Sequence, residues 1–314
     1  MSEEWRSSEG WVDIHAHVTG IAGIGVDPTQ YGVAQGVDVL VDAGSAPPAE
    51  LGRCLREVNA ATETAVLAWA NICAEGIYGK GCAGHDISGE AARRALREHS
   101  GQVVGIKLQA SSTRLAERGL EAIENAKRVA AASAAGGFGV PLLVHVGNGA
   151  PTIREVADAL RQGDIITHFA HGKPEGALGE DGRPHPALVA ARQRGVLFDV
   201  GHGAGSFAFD VMERLGAAGF WPDIISTDLH RGSAVAPVGS LADCVSKLVS
   251  LGMPEVDALA AVTARPRAAL GLPPGRMRTR FRVSTEPWEA CDTYGNSRRL
   301  RYRIVNAHCE PADG

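Results

Sequence analysis

Eight short runs rich in β-branched residues alternate with Ala-rich amphipathic segments along this 314-residue chain, and polar residues stand at the ends of most runs. The length suits one barrel of about 250 residues plus a small remnant. Together these observations predict an α/β chain folded as a (β/α)8 TIM barrel with a small, reduced C-terminal β appendage. Parallel strands need crossover helices, and closing the sheet removes its exposed edges. An open doubly wound sheet is the rival. It lacks support here because no Gly-rich dinucleotide fingerprint follows the first strand, and the candidate ligands stand at many strand ends rather than at one switch point.

The first strand is Gly10-Trp-Val-Asp-Ile-His15-Ala-His17. Side chains two apart on a strand share a face, so His15 and His17 can converge on one point, a spacing suited to a metal ion. Val37–Val41 is the second strand, and Pro47–Thr62 reads as a helix opened by proline. Ala65–Ile72 is the third, followed by a loop around Tyr78-Gly79-Lys80 and a helix over Ser88–Glu98 with Ser88 as N-cap. Val103–Lys107 is the fourth, with a long helix over Glu117–Ala135. Val140–His145 is the fifth, with a helix over Pro151–Leu160, and Asp164–His168 the sixth, with one near Pro186–Gln193. Gly195–Val200 is the seventh, with a helix near Phe207–Leu215, and Asp223–Asp228 the eighth. Helices over Leu241–Ser250 and Glu255–Leu270 close the series.

Composition excludes several classes of function. The formal net charge is -5, with no basic stripe in the sequence, which argues against nucleic acid as a partner. No apolar run reaches the roughly 18 residues of a membrane span, and residues 1–9 are polar and acidic, unlike a signal peptide. The six cysteines form no CxxC pair, so neither a disulfide framework nor a zinc knuckle is expected. The chain reads as cytoplasmic.

Six polar residues share the strand-end position: His15 and His17 on the first strand, Lys107 on the fourth, His145 on the fifth, His168 on the sixth and Asp228 on the eighth. A lone buried histidine is more often a satisfied core residue than a ligand. Six polar groups at one barrel mouth are more than a packed interior tolerates without something to bind.

With Gly105-Ile-Lys107, Val144-His-Val-Gly-Asn148, Ile166-Thr-His168, Gly195–Gly203 and Ile225-Ser-Thr-Asp-Leu-His230, this set resembles the binuclear site of the amidohydrolase superfamily. The likeness is to its amidohydrolase/deacetylase branch, described as dihydroorotase-like, in the subtype with a carboxylated lysine. It implies that His15, His17 and Asp228 hold one divalent ion and His145 and His168 a second. The ions are zinc, with manganese as the alternative. A CO2-derived carbamate on Lys107 bridges them, since an ammonium has no acceptor lone pairs and a carbamate presents two anionic oxygens. The implied chemistry is hydrolysis of an amide or ester of a small molecule by a metal-bridging hydroxide, a deacylase or deacetylase reaction with Asp228 as the catalytic proton acceptor. Tyr78, Asn148, His171, Lys173, His202, His230 and Arg231 follow strand ends and are the candidates for lining the pocket. Lys173 and Arg231 are the candidates for a substrate carboxylate.

Two other readings stand beside this one: a lactonase or phosphotriesterase-like esterase using the same ions, and a degenerate, non-catalytic binding protein. The ends add an expectation. Residues 10–272 read as the barrel and 273–314 as the remnant of a β-sandwich whose N-terminal half appears to be missing, whether naturally or by a truncated start. Half a sandwich leaves an apolar face uncovered, which predicts self-association into a homo-oligomer.

Overall fold

The computed structural model describes residues 4–19, 23–78, 86–133 and 139–312. β1 (Arg6–Glu9) is followed by the barrel strands β2 (Trp11–Ala16), β3 (Val37–Asp42), β4 (Ala65–Asn71), β5 (Val103–Gln109), β6 (Leu142–His145), β7 (Ile165–Thr167) and β8 (Leu197–Asp199). Strands β2 to β8 pair in sequence order as one parallel seven-stranded sheet. Every residue of β2 and β3 is buried, as expected of strands covered on both faces. Val12, Ile14, Val39, Val41, Trp69, Leu143, Ile165 and Ile224 form one buried cluster, and neighbouring strand residues such as Leu40, Ala68, Ile106, Val144 and Ile166 join a larger one with the helices.

The eighth strand expected over 223–228 is absent as a regular element, although its segment closes the cylinder. Ile224 bridges Asp199 and Leu229 bridges Ala16, both in parallel sense. Val200 N donates to Ile224 O, His202 N to Ser226 O and His17 N to Leu229 O. Asp228 lies at φ +47°, in the left-handed region, and that turn interrupts the strand ladder.

Helices alternate with the strands largely as expected. The single turn α1 (Pro28–Tyr31) follows β2, α2 (Leu51–Ala61) follows β3 and α3 (Glu90–Glu98) follows β4. The long helix after β5 is split into α4 (Ser112–Leu115) and α5 (Gly119–Ala132); residues 134–135 of its expected span lie outside the described residues. α6 (Ile153–Ala159) opens with a capping box made by Thr152 and Glu155. α7 (Pro186–Gln193), α8 (Phe209–Ala217) and α9 (Leu241–Ser250) follow. The helix expected over 255–270 is two, α10 (Glu255–Ala260) and α11 (Ala264–Leu270). Between them Ile225 N donates to Ala261 O and Val12 N to Val262 O, so strand partners take carbonyls a continuous helix would use, and Pro266 has no N–H to continue one. No helix among the described residues is long and apolar enough to cross a membrane. Cys73 is disulfide-bonded, which the spacing of the cysteines did not show, whereas Cys54, Cys244, Cys291 and Cys309 are free.

The appendage comprises β9 (Met277–Ser284), β10 (Trp288–Cys291), β11 (Ser297–Leu300) and β12 (Arg303–Pro311). Residues ahead of the barrel contribute to it: β1 pairs antiparallel with β9, giving a three-stranded sheet in the order β1-β9-β12, while β10 and β11 form a separate hairpin. Several apolar side chains of the appendage are covered within the described residues. Phe281, Ala290, Leu300 and Ile304 are buried, and Phe281 packs against Trp11 at the start of the barrel with ring centroids 5.7 Å apart. The barrel supplies the cover for Phe281.

At the opposite end from the histidines, Arg267 of α11 clamps the strand starts. Its Nη2 donates to Gly10 O at 2.9 Å and Asp38 Oδ2 at 2.6 Å, and its Nη1 to Pro273 O at 3.1 Å. Both partners of the ion pair are buried, so removing the guanidinium strands a carboxylate without solvent. Arg267→Met is expected to cost about 3 to 5 kcal/mol in urea unfolding; a loss under about 1 kcal/mol, the range of surface pairs, would show that the clamp carries little.

Candidate metal centre and its pocket

β2 delivers His15 and His17, and Asp228 comes from the closing segment. Both His15 Nε2 and His17 Nε2 lie close to Asp228 Oδ1, at 3.2 and 3.1 Å. One ligand atom from each of the three residues falls within 4.8 Å of the other two. Lys107, on β5, places Nζ 3.2 Å from His15 Nε2. His145, the last residue of β6, and His168, just past β7, stand with ring centroids 4.5 Å apart, and His168 lies 5.0 Å from His15. All six border one cavity of about 290 Å³, with Ile24, Ile77, Gln109, Arg114 and His230.

The imidazoles are aimed by partners behind them. His15 Nδ1 meets Thr167 Oγ1 at 3.0 Å, His17 Nδ1 meets Ser45 Oγ at 2.7 Å and His168 Nδ1 meets Gly201 O at 2.6 Å. A carbonyl can only accept, so His168 Nδ1 carries the proton and Nε2 keeps its lone pair for the cavity. Such outer partners set the tautomer and orientation of metal-binding imidazoles. Backbone geometry contributes as well: His168 and Asp228 adopt positive φ, and a Cβ on Gly203, itself at φ +53°, would lie 2.3 Å from Asp228 Oδ2. Only glycine lets the β8 loop approach the carboxylate so closely.

The electrostatics suit cation binding. Burial, reinforced by Lys107, holds His145 well below the ordinary histidine range, and burial with His145 does the same for His168, so both are neutral donors at pH 7. Burial would raise the Asp228 carboxyl, but the nearby His15 and hydrogen bonds from His15 and His17 hold it well below the usual carboxylate range. His15 is shifted up despite burial and Lys107, because Asp228 and Asp199 favour its charged form. Burial brings Lys107 down to about 8. Two imidazoles and a carboxylate converge at one point, and two neutral imidazoles and a buried lysine stand beside it. This donor set fits divalent ions of the zinc class, which take imidazole and carboxylate ligands.

Of the candidate pocket residues, His230 lines the cavity, its Nδ1 2.8 Å from Asp228 O. His171 is buried and does not border the cavity, with burial and Lys173 lowering its pKa to about 4. Lys173 is half-buried and does not itself border the cavity, but the point a Cβ would occupy on Gly147 is 3.3 Å from both its Nζ and His145 Nε2. Tyr78 ends a single 3-10 turn, Gly76–Tyr78, and its side chain lies outside the described residues, as do Gly79 and Lys80. Three candidates fall elsewhere. Asn148 is exposed and offers only its carbonyl, to Ser112. Arg231 is exposed, its backbone N bound to Ile24 O, and does not border the cavity.

His202 is the third. It is fully buried and points away from the cavity, stacked on Phe207 and 2.9 Å from Lys247 Nζ. That ammonium also donates to Pro237 O and Cys291 O, so its three protons have three acceptors and His202 is a structural acceptor rather than a substrate contact. Burial, and then Lys247, lower the His202 pKa to about 3. The unfolded chain, with an ordinary histidine near 6.5, binds more protons from about pH 3 to 6.5. The stability this neutral imidazole contributes is therefore complete above that window and lost as the pH falls through it. In urea titrations at pH 7, 5.5 and 4.5, the stability gap between wild type and His202→Gln is expected to narrow as pH falls; a gap independent of pH would show that the imidazole titrates in the folded protein as it does in the unfolded chain.

Sequence reasoning missed Gln109 and Arg114. Gln109 stands two residues beyond Lys107 on the same strand, and that spacing was the available signal. Arg114 is half-buried in α4, in the loop after the Lys107 strand, and its side chain has no hydrogen bond or ion pair among the described residues.

No protein-family model matches the chain. A curated deacetylase of Agrobacterium fabrum is 31% identical over 320 residues, spanning 96% of this chain and 77% of the relative. A deacetylase of Brucella anthropi is 31% identical over 323 residues, spanning 96% and 78%. Among solved structures, an adenine deaminase superposes with a TM-score of 0.89 at 26% identity, covering 98% of this chain and 88% of that one. A dihydroorotase superposes with a TM-score of 0.85 at 31% identity, covering 95% and 82%.

Proposed function

Because this chain belongs to the amidohydrolase superfamily and is a metal-dependent hydrolase of amide C–N bonds, we propose that it removes an acyl group from a small, carboxylate-bearing molecule at a pair of divalent ions, zinc or manganese. The observation that carries this reading is the convergence of His15, His17 and Asp228 within 4.8 Å, beside Lys107, His145 and His168 in one cavity. In the proposal His15, His17 and Asp228 would hold one ion and His145 and His168 the other, and Lys107, as a carbamate, would supply anionic oxygen ligands. Burial leaves the Lys107 amine within reach of its neutral form near pH 8. Only the neutral amine has the lone pair that adds to CO2, forming the N–C bond and releasing a proton.

When bound, the ions would polarise the acyl carbonyl and bring the attacking water within reach of deprotonation at neutral pH. Asp228, ionised and facing the cavity, accepts the proton from that water and returns it to the leaving nitrogen. His230, oriented by the Asp228 carbonyl, sits on the same wall for contact with the substrate. Ile24 and Ile77 supply an apolar wall, and a cavity near 290 Å³ limits the substrate to a compact molecule. Arg114 takes the place that sequence reasoning gave Arg231: it borders the cavity with its guanidinium unpaired among the described residues, and a guanidinium holds a carboxylate bidentately. The deacetylase relatives favour amide hydrolysis over phosphotriester chemistry.

Protein produced with zinc and bicarbonate is expected to carry about two metal ions per chain by plasma mass spectrometry, and Lys107→Ala to lose metal and activity together. Full metal content and activity in that variant would remove the carbamate from the mechanism. A panel of N-acyl amino acids, O-acyl hydroxy acids, lactones and aryl phosphotriesters tests the reaction, and turnover confined to phosphotriesters would overturn it. With the best panel member, Arg114→Met is expected to raise KM roughly ten- to a hundredfold, the cost of a hydrogen bond to a charged group, while Arg231→Met leaves KM unchanged.

A further inference from the structure

The appendage hairpin reaches the catalytic face through its turn. Tyr294 Oη accepts a hydrogen bond from Gly172 N at 3.0 Å and donates to Gly205 O at 3.2 Å, so one phenol joins the loop after β7 to the loop after β8. Its neighbours reinforce the contact. Thr293 N and Oγ1 donate to Phe207 O, Phe207 N donates to Thr293 Oγ1, and Asp292 Oδ2 accepts from Phe209 N at the start of α8, where Ala208 offers no side-chain cap. The ring lies against Gly172 so closely that a Cβ there would sit 3.1 Å from Tyr294 Cε2.

From these contacts we infer that Tyr294 is a positioning residue for substrate binding: the appendage, through this hydroxyl, holds the loop that places the Lys173 ammonium beside His145, which lines the cavity. The inference rests on the reading of the pocket as an acyl-substrate site. His168 lies in the centre, His171 N donates to His168 O, Gly172 N is held by Tyr294, and the next residue is Lys173. Lys173 N donates to His171 Nδ1, which fixes the backbone at the lysine while leaving its side chain to extend toward His145 Nε2 across Gly147. The Lys173 ammonium has no side-chain hydrogen bond or ion pair among the described residues, so its place depends on the loop beneath it. Tyr294 is 42% exposed, and a phenol with that much surface in water contributes little to the core; its two directed hydrogen bonds to loop backbone are what it adds.

Tyr294→Phe tests this in the full, metal-loaded chain, because it removes the hydroxyl and keeps the ring on Gly172. Hydrogen exchange followed by mass spectrometry is expected to quicken in peptides spanning 169–178, with those over β2 unchanged. With the panel compound that is turned over, KM is expected to rise roughly three- to tenfold, the loss of an ordinary hydrogen bond, with kcat within about twofold and the metal content intact. In a Lys173→Met background the same substitution is expected to leave KM unmoved, which a merely structural role would not produce. Unchanged exchange at 169–178 would overturn the inference, as would a fall in kcat together with metal loss. The exchange measurement needs no substrate, so it decides the loop's attachment even if no acyl compound on the panel is hydrolysed.

Discussion

A buried carboxylate, Asp13, holds the seam on which the barrel and its site both depend. Its Oδ1 accepts from His15 N at 3.2 Å and from Thr227 N at 3.1 Å, and its Oδ2 from Thr227 Oγ1. These bonds tie β2, which carries His15 and His17, to the closing segment, which carries Asp228. Burial raises the Asp13 carboxyl to about 6, against the pull of the hydrogen bonds from Thr227 and His15, so the interaction is made where a carboxylate is costly. The cost is tolerable because every donor it meets is directed at it. Besides this link, the eighth position is held by two isolated bridges and a few backbone hydrogen bonds around the left-handed turn at Asp228.

The same turn explains why so polar a cavity sits inside a well-packed barrel. Lys107, His15, His17 and His168 are all buried, a group of ionisable side chains that hydrophobic burial would exclude. Each is oriented from behind by a hydroxyl, a carbonyl or another member of the set. The arrangement brings imidazole nitrogens and a carboxylate oxygen to one point, a donor set suited to a cation. The backbone strain at His168 and Asp228 falls at the same place, where strain is characteristically retained for function.

The appendage has two jobs of different physical kind. Its three-stranded sheet covers the barrel's start with apolar side chains, Phe281 on Trp11, and is joined there by β1 and anchored through Arg267 to Glu9 and Asp38. Its hairpin adds directed hydrogen bonds to the apolar burial of Ala290 and Leu300, from Lys247 at one end to Tyr294 at the other, and these reach the loops of the opposite face. Apolar burial is undirected and suits a lid over a core. Directed bonds suit the placement of a loop.

Periodicity made the barrel legible in the sequence, because strand and helix patterns depend only on near neighbours, and alternating segments leave few topologies. The six strand-end residues were legible for the same reason: in a barrel, all such ends meet at one rim. What the sequence could not show is direction. His202 and His230 both follow strand ends among glycines, yet one turns inward to Lys247 and the other to the cavity. Arg231 and Arg114 both follow ligand strands, yet only Arg114 borders the pocket. These outcomes depend on loop backbone held by residues distant in the chain, such as Tyr294 on Gly172 and Arg231 N on Ile24 O. The amino-acid order by itself determined the barrel, the six polar residues at its rim and its broad chemistry; tertiary contacts alone decided which loop side chains face the cavity and how the appendage packs on the barrel, because both are set by interactions with no local pattern.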